Sequence, residues 1–203
     1  MKVYLRWMLT FGWLAAMSTE VFAITLADIG QAISDASSFS SRFSMMKRTN
    51  SVGTPLMSEG RLVLVRNKGL LWAVTEPFEE SVGFSEKKRG FTDDRGQWQV
   101  KENQTPGIVN EIMQKVLGGD FSFLSDRFFI EVDGSKNAWK VLATPKIGNA
   151  KEWIAEVLIT GGRHISRVQI VMKDQTVTEI VFTETKDNPE IDQKDRLRLE
   201  SLQ

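Results

Sequence analysis

The sequence predicts an α+β fold, with roughly nine antiparallel strands and helices against one side. Two observations carry this. From Phe128 onward, β-branched apolar runs are ended by short clusters of turn residues: Phe128 to Asp133, Ala138 to Thr144, Trp153 to Thr160, Ile165 to Met172 and Thr176 to Glu184. Two other segments instead repeat apolar residues at helical spacing between capping residues.

The elements follow in order. Thr25 with Asp28 is a capping pair for a first helix whose Leu26, Ile29 and Ile33 lie on one face. A strand follows near Ser38, with Phe39, Ser41, Phe43 and Met45 on one side and Arg42 and Met46 on the other. Residues 49–58 read as a loop. Strands over Arg61 to Arg66 and Leu70 to Thr75 are joined by Asn67-Lys68-Gly69. In the second, Leu70, Trp72 and Val74 share one face while Leu71 and Ala73 occupy the other, which predicts cover on both sides. A weaker strand spans Ser81 to Ser85, and Glu86 to Arg89 and Asp93 to Gly96 read as hairpin turns. Thr105 as N-cap, Pro106 at N1 and Gly118 at C′ then bound a helix. Its Ile108, Ile112 and Val116 form one stripe, and Val109, Met113 and Leu117 a second beside it. A helical turn near Asp120 to Ser125 precedes the strand-rich half. After Asn188-Pro189 comes a charged tail with Leu197, Leu199 and Leu202 at no clear period.

Composition excludes much chemistry. The 203 residues hold 26 basic and 26 acidic side chains, one histidine and no cysteine. Balanced charge offers no field for nucleic acid. Without cysteine there is no disulfide, thiol nucleophile or thiolate metal site, and one histidine cannot build a multi-histidine centre. No metal, cofactor or catalytic residue is expected. His164 follows Gly161-Gly162-Arg163 and reads as a turn histidine, with no Gly-x-Ser-x-Gly elbow beside it. Asp93-Asp94 and Asp133 lack calcium-loop spacing, and Lys87-Lys88-Arg89 reads as a solvated hairpin tip.

Residues 1–23 read as a secretory signal: Lys2 and Arg6, an apolar run from Trp7 to Met17, then Val21-Phe22-Ala23 with cleavage expected after Ala23. The run is too short for a membrane span. Removing it leaves 24 basic against 25 acidic residues in a single domain, 24–203. The expected product is an exported, soluble monomer.

The segment 59–77 carries a resemblance. Gly60, an apolar strand ending at Arg66, Trp72 and Pro77 stand in the order seen in the LolA family of periplasmic lipoprotein carriers, which this chain resembles. The surrounding elements agree over nearly all of 24–203, although only 60–77 is specific. The resemblance implies an incomplete antiparallel β-barrel with helices forming a lid over a hydrophobic cavity. It also implies acylated lipoproteins or lipids as cargo, an inner-membrane lipoprotein-releasing transporter as donor and an outer-membrane receptor as acceptor. The family arginine matching Arg66 holds the lid closed on helix backbone. Two positions depart from the pattern: Asn67 stands where the family has Pro, and the C-terminal ending differs, which bears on cargo and receptor.

The residues expected to line the cavity are Phe39, Phe43, Met45, Leu62, Leu64, Leu70, Trp72, Ile112, Met113 and Val116. Read alone, such apolar stripes are ordinary core. Met45, Met46 and Met113 are unbranched and adaptable, as variable acyl chains would require. Arg66 shares a strand face with Leu62 and Leu64, so it either reaches solvent at the strand end or must find buried acceptors. A carrier for a glycolipid or other lipid-linked product, and a non-catalytic protein-interaction module with a solid core, are the rival readings.

Overall fold

The computed structural model describes residues 24–102 and 108–203. The expected signal, and the helix start at Thr105-Pro106, lie outside the described residues. Thr25 and Asp28 form the expected reciprocal capping box on α1 (Leu26–Ser34), which buries Ile29 and Ile33.

Eleven antiparallel strands form one open sheet: β1 (Ser38–Thr49), β2 (Val52–Val65), β3 (Gly69–Glu76), β4 (Glu80–Phe84), β5 (Lys88–Thr92), β6 (Trp98–Glu102), β7 (Phe128–Ser135), β8 (Ala138–Pro145), β9 (Ile154–Gly161), β10 (Ile165–Met172) and β11 (Val177–Asp187). Their spatial order is β6-β5-β4-β3-β2-β1-β11-β10-β9-β8-β7. Neighbours are consecutive in the chain, with α4 between β8 and β9, except β1 and β11, whose pairing joins the two halves; among the described residues β6 and β7 are the edges. A twisted sheet this wide curls, giving an unclosed barrel.

The register explains the core. Leu64 faces Leu70, Leu62 faces Trp72, Phe43 faces Phe182 and Met45 faces Ile180. The belt continues through Val168, Ile159 and Val141. Period-two alternation therefore lays one apolar surface across seven strands. Helices α1, α2 (Ile108–Leu117) and α3 (Ser122–Arg127) join it in one buried cluster, with Ala150 of α4 (Gly148–Trp153).

Several expectations change. Residues 49–58 are not a loop: they complete β1 and begin β2, with Lys47 opposite Leu56 and Thr49 opposite Val52. Gly53 and Pro55 obscured this, and Pro55 is tolerated because β2 meets β3 only from Glu59 onward, leaving the earlier part an edge. Lys88 and Arg89 belong to strand β5, and Trp153 ends a short helix instead of beginning a strand. The turn at Asp93 is as expected, its carboxylate accepting from the N–H groups of Arg95 and Gln97.

Helices also lie on both faces of the sheet, not one. The charged tail folds as α5 (Gln193–Ser201), capped by Asp192. Leu199 packs on Val63 and Leu71 with Trp98 and Ile191, covering the second apolar face of β3 as its sequence requires. Trp98 Nε1 donates to Ser201 Oγ at 3.0 Å, and the Arg198 guanidinium lies 4.9 Å from the Trp98 ring. The spacing of Leu197, Leu199 and Leu202 hid this helix because only the last two are buried.

Arg61 anchors α5, donating to the buried Asp195 carboxylate and lying 3.3 Å from Asp192. The side chain of Asp195 is 1% exposed and that of Arg61 39%, so the pair is half in water. Arg61→Met should therefore cost about 2 kcal/mol in urea unfolding, below the roughly 3–5 of a fully buried pair. Asp192 is held below the usual carboxylate range, first by the Asp195 N–H and, against desolvation, by Arg61. Its stabilising contribution is thus complete above about pH 4 and lost as pH falls through the lowered value, which Trp98 fluorescence in acid titration should register.

Candidate functional site: Arg66 at two helix ends above the apolar face

Arg66 follows the last residue of β2, where the strand leaves the sheet beneath the ends of two helices. Its guanidinium donates through Nε to Ala36 O (2.5 Å), through Nη2 to Ile33 O (2.8 Å) and through Nη1 to Gly118 O (3.0 Å). These acceptors are carbonyls at the C-terminal ends of α1 and α2, which have no partner within their own helices. A cation is also favoured there by the negative ends of both helix dipoles. Arg66 thus meets the demand of a half-buried guanidinium and of two helix ends in one contact. Its own backbone N–H donates to Ser37 O at 3.0 Å, fixing the strand end against the chain leaving α1.

The α2 end is shaped for this clasp. Asp120 N donates to Lys115 O and Gly119 N to Val116 O, the two bonds of a Schellman motif. The left-handed residue is Gly119, at φ +80°, one position after the expected Gly118. Gly118 instead presents its carbonyl to Arg66. The helices approach closely here: a Cβ at Gly30 would lie 2.9 Å from Gly119 O.

Asn67 adopts φ +60°, a left-handed conformation closed to proline, whose φ is fixed near −65°. Lys68 N donates back to Val65 O at 3.0 Å, so the β2–β3 turn is built differently from a proline turn. Arg66 reaches the helix ends all the same.

Below the helices, Phe43 and Trp72 lie 4.2 Å apart between ring centroids, with Phe182 edge-on to Trp72 at 6.3 Å. Gly60 makes room for this group. It pairs with Phe43, and a Cβ there would lie 2.8 Å from the ring and 2.1 Å from Ala73 O. Phe39, Phe43, Leu62, Leu64, Leu70, Ile112, Met113 and Val116 are buried in a single cluster, with Met45 and Trp72 partly buried against it. The far half of the lining was missed in the sequence: Val141, Ala143, Val157, Ile159, Val168, Ile170 and Phe182 belong to the same surface. Their alternation in each strand was the available signal.

Between the helices and the sheet, a pocket of about 20 Å³ is bordered by Ile33, Phe39, Leu117 and Phe182, with Ser41, His164 and Asp187 among its lining. That is little more than the space of one water molecule. His164 Nε2 lies 3.7 Å from Asp187 Oδ1, while the Ser41 hydroxyl is turned to Thr183 O at 2.9 Å. Among the described residues, no cluster of three or more His, Asp or Glu could hold a metal ion, and no helix is long and apolar enough to cross a membrane.

No protein-family model matches the sequence, and no curated protein is significantly similar to it. Several solved structures are similar to it at low identity. The chain is similar to a LolA superfamily protein from Nitrosomonas europaea, with 10% identity, a TM-score of 0.46, and coverage of 85% of this chain and 97% of that one. A DUF1329 family protein from Desulfovibrio piger matches over 88% of this chain and 96% of its own, at 11% identity and a TM-score of 0.49. A chain of the Pseudomonas aeruginosa MucA/MucB complex matches 84% of this chain at 10% identity and a TM-score of 0.48, and this chain spans 59% of that longer one. At such identities the likeness concerns the fold and assigns no activity.

Asn67→Pro should remove the left-handed turn and cost about 3 kcal/mol or more in thermal or urea unfolding, whereas Asn67→Gly should stay within about 0.5 kcal/mol of the parent.

Proposed function

We propose that this chain is an exported, non-catalytic carrier of the periplasm that shelters the acyl chains of lipoproteins and shuttles them from inner to outer membrane. The observation that carries the reading is the Arg66 clasp on Ile33, Ala36 and Gly118. A polar latch on two helix ends, above a continuous apolar sheet face, suits a cover that opens and closes. An irreversible core has no need of a charged side chain at the seam.

Shelter is the chemistry such a carrier supplies. Each acyl CH₂ left in water costs about 0.8 kcal/mol, so a sixteen-carbon chain costs on the order of 12 kcal/mol. Opening α1 and α2 from the sheet exposes Phe43, Leu62, Ile112 and Val116, and an acyl chain can take the place of the helices on that surface. Residues 1–23 serve as the cleaved export signal and 24–203 as the single carrier domain, receiving cargo from an inner-membrane transporter and passing it to an outer-membrane receptor. The left-handed Asn67 and the α5 ending also leave room for a glycolipid or another lipid-linked product as cargo.

A second reading, a protein-interaction module with a solid core, is favoured by the small volume of the pocket, about 20 Å³. Native mass spectrometry of protein purified from periplasm without detergent distinguishes the two. The carrier should arrive with lipid mass attached or should take up a fluorescent acyl probe. A bare protein that refuses the probe would establish the module instead. Arg66→Leu should shift the closed–open balance toward the open form, retaining probe or cargo at least ten-fold longer than the parent, an effect of about 1.4 kcal/mol. Unchanged release by that variant would count against the latch.

A further inference from the structure

The end of the sheet opposite the Arg66 clasp carries a different surface. The first part of β2 overhangs β3, and Val52, Leu56 and Met57 on it are about half exposed. Asn50 Nδ2 donates to Asp174 O at 3.3 Å and to Gln175 Oε1 at 3.1 Å, tying the β1–β2 tip to the β10–β11 turn. Lys173 N donates to Trp153 O at 2.8 Å, tying that turn to the end of α4. Trp153, at 61% exposure, therefore stands on the same end as the aliphatic tip. Around them Lys47, Arg48, Lys151 and Lys173 are all exposed. The neighbouring acids are Glu152 and Asp174, and the Asp174 carboxylate is engaged within its turn by Thr176 N. Glu59, two residues after Met57, pairs with Glu76 at the end of β3, and Glu79 and Glu80 follow where β4 begins. In a chain of balanced charge this tip is locally positive.

We propose that this tip docks on an anionic lipid bilayer, with Leu56, Met57 and Trp153 entering the interface and Lys47, Arg48, Lys151 and Lys173 facing acidic headgroups. Exposed aliphatic side chains at a hairpin tip gain by entering the acyl boundary. Tryptophan favours the level where one edge is apolar and the other wet. Charge complementarity selects the bilayer over a second copy of the chain, whose own tip would bring like charges together. The inference goes beyond the carrier reading and does not depend on it, since a solid-cored module with this tip would bind the same surface.

The chain has no cysteine, so Leu56→Cys and, at the opposite end, Lys136→Cys each give a unique site for an environment-sensitive fluorophore. Vesicles of mixed phosphatidylglycerol and phosphatidylcholine should shift the emission of the label at 56 to shorter wavelength and leave that at 136 unchanged. Phosphatidylcholine vesicles alone should do much less. In flotation, Lys47→Gln combined with Lys173→Gln should lower affinity for the mixed vesicles about 25-fold, at roughly five-fold per charge. Absence of flotation by the parent chain, equal response of both labels, or no salt dependence would overturn the proposal. So would a concentration-dependent shift at position 56 without vesicles, which would identify a second copy as the occupant.

Discussion

The Arg66 guanidinium places its donors on Ile33, Ala36 and Gly118, and the closed arrangement of α1 and α2 follows from that contact. Each helix presents carbonyls that need a donor, and Arg66 presents N–H groups that would be costly to bury unpaired. Satisfying all of them at one seam couples the two helices, so that neither leaves without stranding groups on the other. Gly119 makes the seam possible by turning left-handed, and Gly30 by admitting the backbone of its neighbour.

Beneath the clasp lies a simpler constraint. An open sheet whose inner belt runs from Leu70 through Phe43 to Val141 has to be covered, and α1, α2 and α3 cover it. On the outer side the apolar face of β3 forces a second cover, supplied by α5 and secured by Arg61 on Asp195. The two covers are attached differently. The outer one rests on a buried carboxylate with an aromatic and a hydroxyl locked around it. The inner one is held by the hydrogen bonds of Arg66 to the ends of α1 and α2, by Lys146 on Ser125 O of α3, and elsewhere by apolar contact.

Much of this was legible in the sequence because single residues have narrow physical roles. Thr25 with Asp28 announces a helix start and the two-faced strand at 70–75 announces double cover, while Arg66 beside Leu62 and Leu64 left a choice between solvent and buried acceptors that the helix ends decide. Other parts were hidden for equally physical reasons. Gly53 and Pro55 break the strand pattern, yet Pro55 sits where β2 has no partner on one side. The α5 helix shows little periodicity because Asp195 is buried beside Leu199 while Leu197 faces solvent. Whether apolar stripes enclose space or fill it depends on packing between distant elements, and no spacing rule encodes that. The ten expected residues do come together in one apolar cluster, with Met45 and Trp72 only partly buried against it.

The central claim is that α1 and α2 form a cover that apolar cargo displaces. Hydrogen exchange of the Ile112–Leu117 amides, measured with and without an acylated peptide, tests it most directly. The account predicts strong protection in the empty protein and exchange faster by roughly ten-fold or more once the acyl chain is bound, with the β9 and β10 amides unchanged. Bound acyl chain with no change at α2, or equal loss of protection across the sheet, would contradict it.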